Sequence, residues 1–243
     1  MKDRIHDTPD EEEEIKQRLF SVADDKTMDW VQKKSHAFLK LMSYYKCAMM
    51  EVETKLHVLR EEYALEHDHD PIHSIKTRLK SLPSVKAKLE RLELPMSLTS
   101  IEESLHDVAG IRVVCPFRDD VYMLADALLR QDDITLITKK DYIANPKPNG
   151  YRSLHLIVAI PIFLASEKRI MQVEIQLRTV AMDFWASLEH QLLYKKEISQ
   201  RDTVEAELYE CAQLSAQLDA RMNELRKSID EHNDIQEKGS TDE

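Results

Sequence analysis

The chain has 243 residues, a formal net charge of −11 and only three glycines. An average chain carries roughly 7% glycine, so neither a three-glycine dinucleotide fingerprint nor a glycine-lysine phosphate loop can be assembled, and any phosphate site must be built from side chains. The acidic balance argues against a general nucleic-acid binder, whose binding domain is usually basic, and each glycine is expected where backbone shape is demanding.

Residues 1–25 carry the run Asp10-Glu11-Glu12-Glu13-Glu14 and few large apolar groups, which reads as a flexible terminus and not a signal peptide. A helix is predicted over 28–63, because Phe38, Met42, Tyr45, Met49, Val52, Leu56, Leu59 and Tyr63 alternate four and three residues apart. Pro71 closes that element within 66–71. Helices follow over 84–92 and 101–108, then a short buried strand over 111–115 stopped by Pro116. Residues 121–130 read as a helix, 134–143 as a strand by β-branched content, and 145–150 as a loop. Strands over 153–162 and 170–178 lead into a helix over 179–196 with Thr179 as its cap. A last helix over 203–230 aligns Val204, Leu208, Cys211, Ser215, Leu218, Met222, Leu225 and Ile229, a strip that packs either on the domain or on another subunit.

The pattern predicts an α/β (α+β) fold: a mixed central sheet of about five strands flanked by helices, with long N- and C-terminal helices. The expected units are a flexible segment 1–25, a globular domain 26–200, a helix 201–232 suited to oligomerisation, and a flexible tail 233–243. Cys47, Cys115 and Cys211 lie far apart with no zinc spacing, so they read as reduced, half-buried thiols. With no apolar run long enough for a membrane span, the expected location is the cytoplasm.

Three features can carry chemistry. On strand 170–178, Gln172, Glu174, Gln176 and Arg178 share one face, and Tyr151, Ser153 and His155 lie at period two nearby. A solvated edge explains one such face; two side by side make a wet cleft floor with a carboxylate, an imidazole and an aromatic ring. Asp107 precedes Gly110 and a buried strand, which puts a carboxylate at a sheet rim, and Mg²⁺ is commonly held by one or two carboxylates plus substrate phosphates. Asp107 and Glu174 are candidates for that pair. Between Lys76 and Arg91 stand six basic residues and one acidic one, with Ser84, Lys88 and Arg91 stacked on one helix face. In an acidic chain, such a run with Arg78 and Lys80 suggests a polyphosphate site, because phosphates take charge-assisted donors. His67, Asp68, His69, Asp70 and His73 look like metal ligands on paper; without a second His-Asp cluster downstream, a polar helix end explains them more simply.

In order along the chain stand Arg78, Lys80, Ser84, Lys88 and Arg91; His106-Asp107-Val108-Ala109-Gly110-Ile111-Arg112; Lys140-Asp141-Tyr142-Ile143; Lys147-Pro148-Asn149-Gly150-Tyr151-Arg152-Ser153-Leu154-His155; Glu174-Ile175-Gln176-Leu177-Arg178-Thr179; and Asp183-Phe184-Trp185-Ala186-Ser187-Leu188-Glu189-His190. Together these resemble the synthetase domain of RelA/SpoT-type alarmone synthetases over roughly His73 to Lys195, nearest to the small RelP/RelQ-like group. Nothing in the chain resembles the family's hydrolase, ribosome-associated or regulatory regions. The resemblance implies a nucleotidyltransferase-like synthetase domain that moves pyrophosphate from ATP to the 3′-hydroxyl of GDP or GTP, giving (p)ppGpp and AMP with Mg²⁺ as cofactor. It also implies that Arg78 and Arg112 sandwich the adenine while Lys80, Ser84, Lys88 and Arg91 hold the ATP phosphates. Asp107 would bind Mg²⁺ with help from Glu174, and Glu174 would take the proton of the attacking hydroxyl, supported by Gln176. Tyr151 would stack the guanine, with Lys140, Lys147 and His155 on the acceptor nucleotide; Asp183, which is asparagine in some members, and Ala186 would lie at the guanine edge. The family habit favours a homotetramer, and a nucleotide or RNA regulator stays open. Two other readings are a pyrophosphokinase with an adenine nucleotide or a tRNA 3′ end as acceptor, and a non-catalytic nucleotide- or RNA-binding module.

Overall fold

A computed structural model describes residues 25–66, 69–193 and 200–240, with side chains over 36–65, 69–193 and 200–232. The acidic terminus, His67, Asp68 and the end of the helix predicted over 179–196 lie outside the described residues. In chain order the elements are α1 (Asp25–Glu66), β1 (Ser74–Leu79), α2 (Leu82–Arg91), α3 (Leu98–Ser104), β2 (Ala109–Cys115), α4 (Arg118–Leu129), β3 (Thr135–Asp141), β4 (Leu154–Phe163), β5 (Lys168–Thr179), α5 (Val180–Leu193) and α6 (Arg201–Ser240).

The strands form one mixed sheet in the order β1-β2-β5-β4-β3. Its one parallel pairing among the described strands joins β2 to β5, and every other neighbouring pair is antiparallel. β5 alternates as its sequence demands: Met171, Val173, Ile175 and Leu177 are buried, while Gln172, Glu174 and Gln176 face the other way and are half-buried. α1 and α4 cover the apolar face, where Val52, Leu56, Leu124, Leu128, Val173 and Ile175 reach zero exposure. Each such side chain contributes about 1.5–3 kcal/mol by leaving water. The opposite face of the central strands is polar, open over Arg112, Glu174 and Gln176 and closed at Arg178, where Asp183 of α5 bonds it.

Four departures from the sequence reading have local causes. β1 is a strand where no element is expected; its alternation Ile75-Lys76-Thr77-Arg78-Leu79 is mostly exposed and is held by antiparallel pairing to β2. α3 stops at Ser104, so Asp107 lies in a turn rather than at a helix end. Ser153, expected on the polar face with Tyr151 and His155, is buried and donates to the Leu177 carbonyl at 3.1 Å. α6 continues to Ser240 instead of stopping near residue 230. The thiols also differ from the half-buried expectation: Cys115 is buried and Cys211 exposed, with only Cys47 between. Thr179 caps α5 as expected, its hydroxyl oxygen accepting from the Met182 amide at 3.2 Å.

Candidate active site

The open part of the polar sheet face floors a cleft of about 320 Å³ lined by Lys76, Thr77, Arg78, Lys80, Asp107, Gly110, Ile111, Arg112, Glu174 and Gln176. Strand register explains why residues so distant in sequence meet there. Lys76 stands opposite Arg112, Arg112 opposite Gln176, Gln176 opposite His155 and His155 opposite Lys140, a polar row across all five strands. One step along, Arg78, Gly110 and Glu174 form a parallel row. A side chain at Gly110 would therefore stand on the floor between a guanidinium and a carboxylate.

One wall is cationic around a single carboxylate. Lys80 Nζ lies 2.8 Å and Lys88 Nζ 2.7 Å from the same Asp107 oxygen, Oδ2. The other oxygen, Oδ1, is buried with no hydrogen-bond partner among the described residues. Burial pushes the Asp107 carboxyl up, but the two ammonium groups outweigh it and hold it below the usual aspartate value. Ser84 bonds Ser81 at 2.9 Å on the first turn of α2, and Arg91 is exposed at that helix's last turn.

The other wall is a hydrogen-bond chain. His155 Nδ1 lies 3.2 Å from Glu174 Oε1, and His155 Nε2 lies 2.8 Å from the Tyr151 hydroxyl. Burial raises the Glu174 carboxyl; hydrogen bonding and attraction from His155 lower it further than burial and the nearby Asp107 charge raise it, so Glu174 stays ionised below the usual glutamate range. Lys147 Nζ sits 4.7 Å from the ring centres of both Tyr142 and Tyr151. Gly150, which precedes Tyr151, has φ +87°, and a Cβ there would lie 2.5 Å from the Ala212 Cβ of α6.

Asp183 on α5 bridges the two walls. Its Oδ1 accepts from Arg112 Nη1 at 3.2 Å and from Arg178 Nη1 at 3.1 Å. Ala186 is buried in a small cluster with Trp185 and Ala212, against which Tyr151 packs. Lys140 is exposed on β3. The structure thus gathers Arg78, Lys80, Lys88, Asp107, Arg112, Tyr151, His155, Glu174, Gln176 and Asp183 around one opening, and leaves Ser84, Arg91, Lys140 and Ala186 at its margins. Two residues carry more of the geometry than the sequence reading gave them: Tyr142, which presents its ring edge-on to Tyr151 and His155, and Arg178, which is 4% exposed. The spacing of Arg178 to Asp183 across the β5–α5 junction was the available signal. The histidine cluster beyond α1 holds no metal-like group among the described residues; His69 instead pairs with Asp120 at 3.0 Å and Asp70 with Arg60 at 2.8 Å.

The chain has relatives among known proteins. Residues 77–199 match the model of the region found in RelA/SpoT proteins. The chain is 41% identical to the GTP pyrophosphokinase YwaC of Bacillus subtilis over 186 residues, 76% of this chain and 89% of that protein. It is 36% identical to the GTP pyrophosphokinase YjbM of the same organism over 187 residues, 77% and 87% of the two chains. The crystal structure of small alarmone synthetase 1 from Bacillus subtilis bound to its product pppGpp superposes with a TM-score of 0.72 at 36% identity, covering 79% of this chain and 98% of that one. The chain belongs to the RelA/SpoT family and groups within it with the small alarmone synthetases.

Proposed function

We propose that this chain is a GTP/GDP pyrophosphokinase that makes (p)ppGpp. The 3′-oxygen of GDP or GTP attacks the β-phosphorus of ATP, the bond from that phosphorus to the α-phosphate bridging oxygen breaks, AMP leaves, and the hydroxyl proton passes to Glu174. The observation that carries this reading is the placement of an ionised, half-buried Glu174 between a cationic wall and an aromatic one. Transfer of this kind asks chiefly for in-line positioning and charge neutralisation.

Roles follow from position. Arg78 and Arg112, on adjacent strands, offer planar guanidinium groups to the adenine. Lys80 and Lys88 reach the phosphates, with Ser84 and Arg91 farther along α2. Tyr151 offers its ring to the guanine; Lys147, which lies over that ring, moves aside toward the acceptor phosphates together with Lys140. His155 and Gln176 orient Glu174. Asp183 suits guanine, whose N1–H and N2–H donate to a carboxylate, whereas adenine presents an acceptor at N1; Ala186 belongs to the cluster against which Tyr151 packs.

Mg²⁺ fits the residues present. Asp107 keeps one buried oxygen without a hydrogen-bond partner among the described residues, and the charge of Asp107 is felt at Glu174. Two carboxylates completed by substrate phosphates form the donor set that this hard cation takes. When bound, Mg²⁺ supplies charge neutralisation to the pyrophosphate being moved.

α6 docks on the domain through small and polar residues: Thr179 donates to Asp219 at 2.9 Å, Arg226 to Asp120 at 2.7 Å, and Trp185 to the Leu208 carbonyl at 2.8 Å. Its Leu218, Met222, Leu225 and Ile229 remain 60%, 49%, 52% and 60% exposed, and Phe184 and Leu192 of α5 are exposed as well. We assign this face to self-association, with a homotetramer as the assembly. No helix among the described residues is long and apolar enough to cross a membrane; the cytoplasm, where ATP and GTP are abundant, is the proposed location.

The test is an acceptor panel. With ATP and Mg²⁺, GDP and GTP should yield ppGpp, pppGpp and AMP, and AMP, ADP and tRNA should yield no pyrophosphorylated product. Transfer to adenine nucleotides or tRNA but not to guanine nucleotides would replace this reading with the other-acceptor one, and binding without turnover would replace it with a non-catalytic module.

A further inference from the structure

Arg178 is a buried charge that the mechanism above does not use. Its exposure is 4%, and burying a guanidinium is costly unless it is paired and hydrogen-bonded. Neutralising Asp183 is the simple explanation, yet Asp183 already holds Arg112 at 3.2 Å. A guanidinium that served only the carboxylate would present both arms of its fork to it. Here the fork is split. Nη1 donates to Asp183 at 3.1 Å, and Nη2 donates to the Tyr151 hydroxyl at 2.6 Å and to Gln176 Oε1 at 3.2 Å. The third nitrogen, Nε, is buried with no partner among the described residues. The geometry thus gives up one donor to reach Tyr151 and Gln176.

The direction of these bonds carries the argument further. A guanidinium can only donate, so the Tyr151 oxygen accepts from Arg178. The Tyr151 proton is then free to point at His155 Nε2, 2.8 Å away. A neutral His155 that accepts at Nε2 carries its proton on Nδ1, which faces Glu174 Oε1 at 3.2 Å. In this orientation each of the three bonds that link Arg178, Tyr151, His155 and Glu174 has one donor and one acceptor.

We propose that Arg178 is a positioning residue for pyrophosphate transfer: it fixes the Tyr151 ring that receives the acceptor base and, through Tyr151, sets the Nδ1–H tautomer of His155 that orients Glu174. The inference deepens the proposed function and rests on it for its kinetic part. Arg178 touches neither nucleotide; it acts through Tyr151.

Two measurements test it. In the nucleotide-free protein at mildly alkaline pH, the ¹⁵N spectrum of the His155 ring should show the Nδ1–H tautomer, and Tyr151→Phe should shift it toward Nε2–H. A wild-type Nε2–H ring, or a ring that does not respond to Tyr151→Phe, overturns the relay whatever the activity. In the kinetic arm, Arg178→Lys keeps the charge but cannot reach Tyr151 and Asp183 together. It should raise KM for GDP about tenfold to hundredfold, the worth of a charge-assisted hydrogen bond, while KM for ATP changes less than about twofold. Tyr151→Phe, which keeps the stacking ring, should act in the same direction, and the double variant should be no worse than the more impaired single one. Additive effects, equal changes in both KM values, or an unaffected Tyr151→Phe would overturn the inference. A wild-type protein that makes no ppGpp would overturn the function reading instead, and the tautomer measurement would still decide the relay.

Discussion

A methyl group at position 150 would lie 2.5 Å from the Ala212 Cβ on a backbone with φ +87°, whereas one at position 110 meets nothing nearer than the Arg78 carbonyl at 3.6 Å. The glycine shortage thus has two different meanings. Gly150→Ala is expected to destabilise by about 1–3 kcal/mol, from backbone strain and overpacking against α6. Gly110→Ala should change stability by less than about 1 kcal/mol while lowering kcat/KM, because its methyl projects onto the cleft floor between Arg78 and Glu174. Thermal melts beside initial rates separate the two cases; a Gly150→Ala protein as stable as wild type would remove the structural claim. The expectation that every glycine marks a demanding backbone therefore holds at Gly150, and at Gly110 the demand is open space. Asp107→Asn removes the counter-ion of Lys80 and Lys88 and should lower kcat at least about hundredfold, the scale of losing one electrostatic stabiliser; retention of more than a tenth of wild-type kcat would contradict its assigned role.

At the scale of elements, α6 shows what periodicity can and cannot reveal. Four/three spacing finds an apolar strip but does not say what lies against it. The helix docks by the side next to that strip, through Ala212, Asp219, Asn223 and Arg226, and the partners of the last three, Thr179, Asp119 and Asp120, are far away in sequence. Asp219 gives a signed prediction. Burial raises its carboxyl above the usual aspartate value, more than the Thr179 hydroxyl and the Arg118 and Arg152 charges lower it. Its contribution to stability is therefore greatest below the unfolded value, about 3.9, and is lost as pH rises through the raised folded value. Asp219→Asn keeps the acceptor for Thr179 and removes the charge, so its Tm should exceed wild type near neutral pH and converge with it toward about pH 4. A lower Tm near neutrality would mean that the Arg118 and Arg152 attraction dominates. β1 escaped the sequence reading for a related reason: half-exposed and basic, it becomes a strand only because β2 offers a partner edge, and pairing is tertiary information.

For the molecule as a whole, the sheet, the helices and the cleft were legible because buried strands announce themselves by β-branched runs and because the candidate residues are of the types that phosphate and metal chemistry need. Lys80, Lys88 and Asp107 could be singled out one by one, but not their convergence on one oxygen, which depends on the β1–β2 register and the turn after α3. Arg178 was visible as one member of a polar face, and its spacing to Asp183 hints at a pair without saying that the guanidinium is buried. The exposed apolar surface of α5 and α6 should make the protein associate with itself. Replacing Leu218 and Leu225 with glutamate is expected to yield monomers by light scattering, and an unchanged mass would place the interface elsewhere. The central claim is that Glu174, in this cleft, accepts the proton as the 3′-hydroxyl of a guanine nucleotide takes pyrophosphate from ATP. Its most direct test compares wild type with Glu174→Gln for ppGpp and AMP formed from ATP, GDP and Mg²⁺, with both proteins shown to be folded by circular dichroism. The account predicts equimolar ppGpp and AMP from wild type and a rate at least about hundredfold lower from the variant; no ppGpp from wild type, or an undiminished rate from Glu174→Gln, would contradict it.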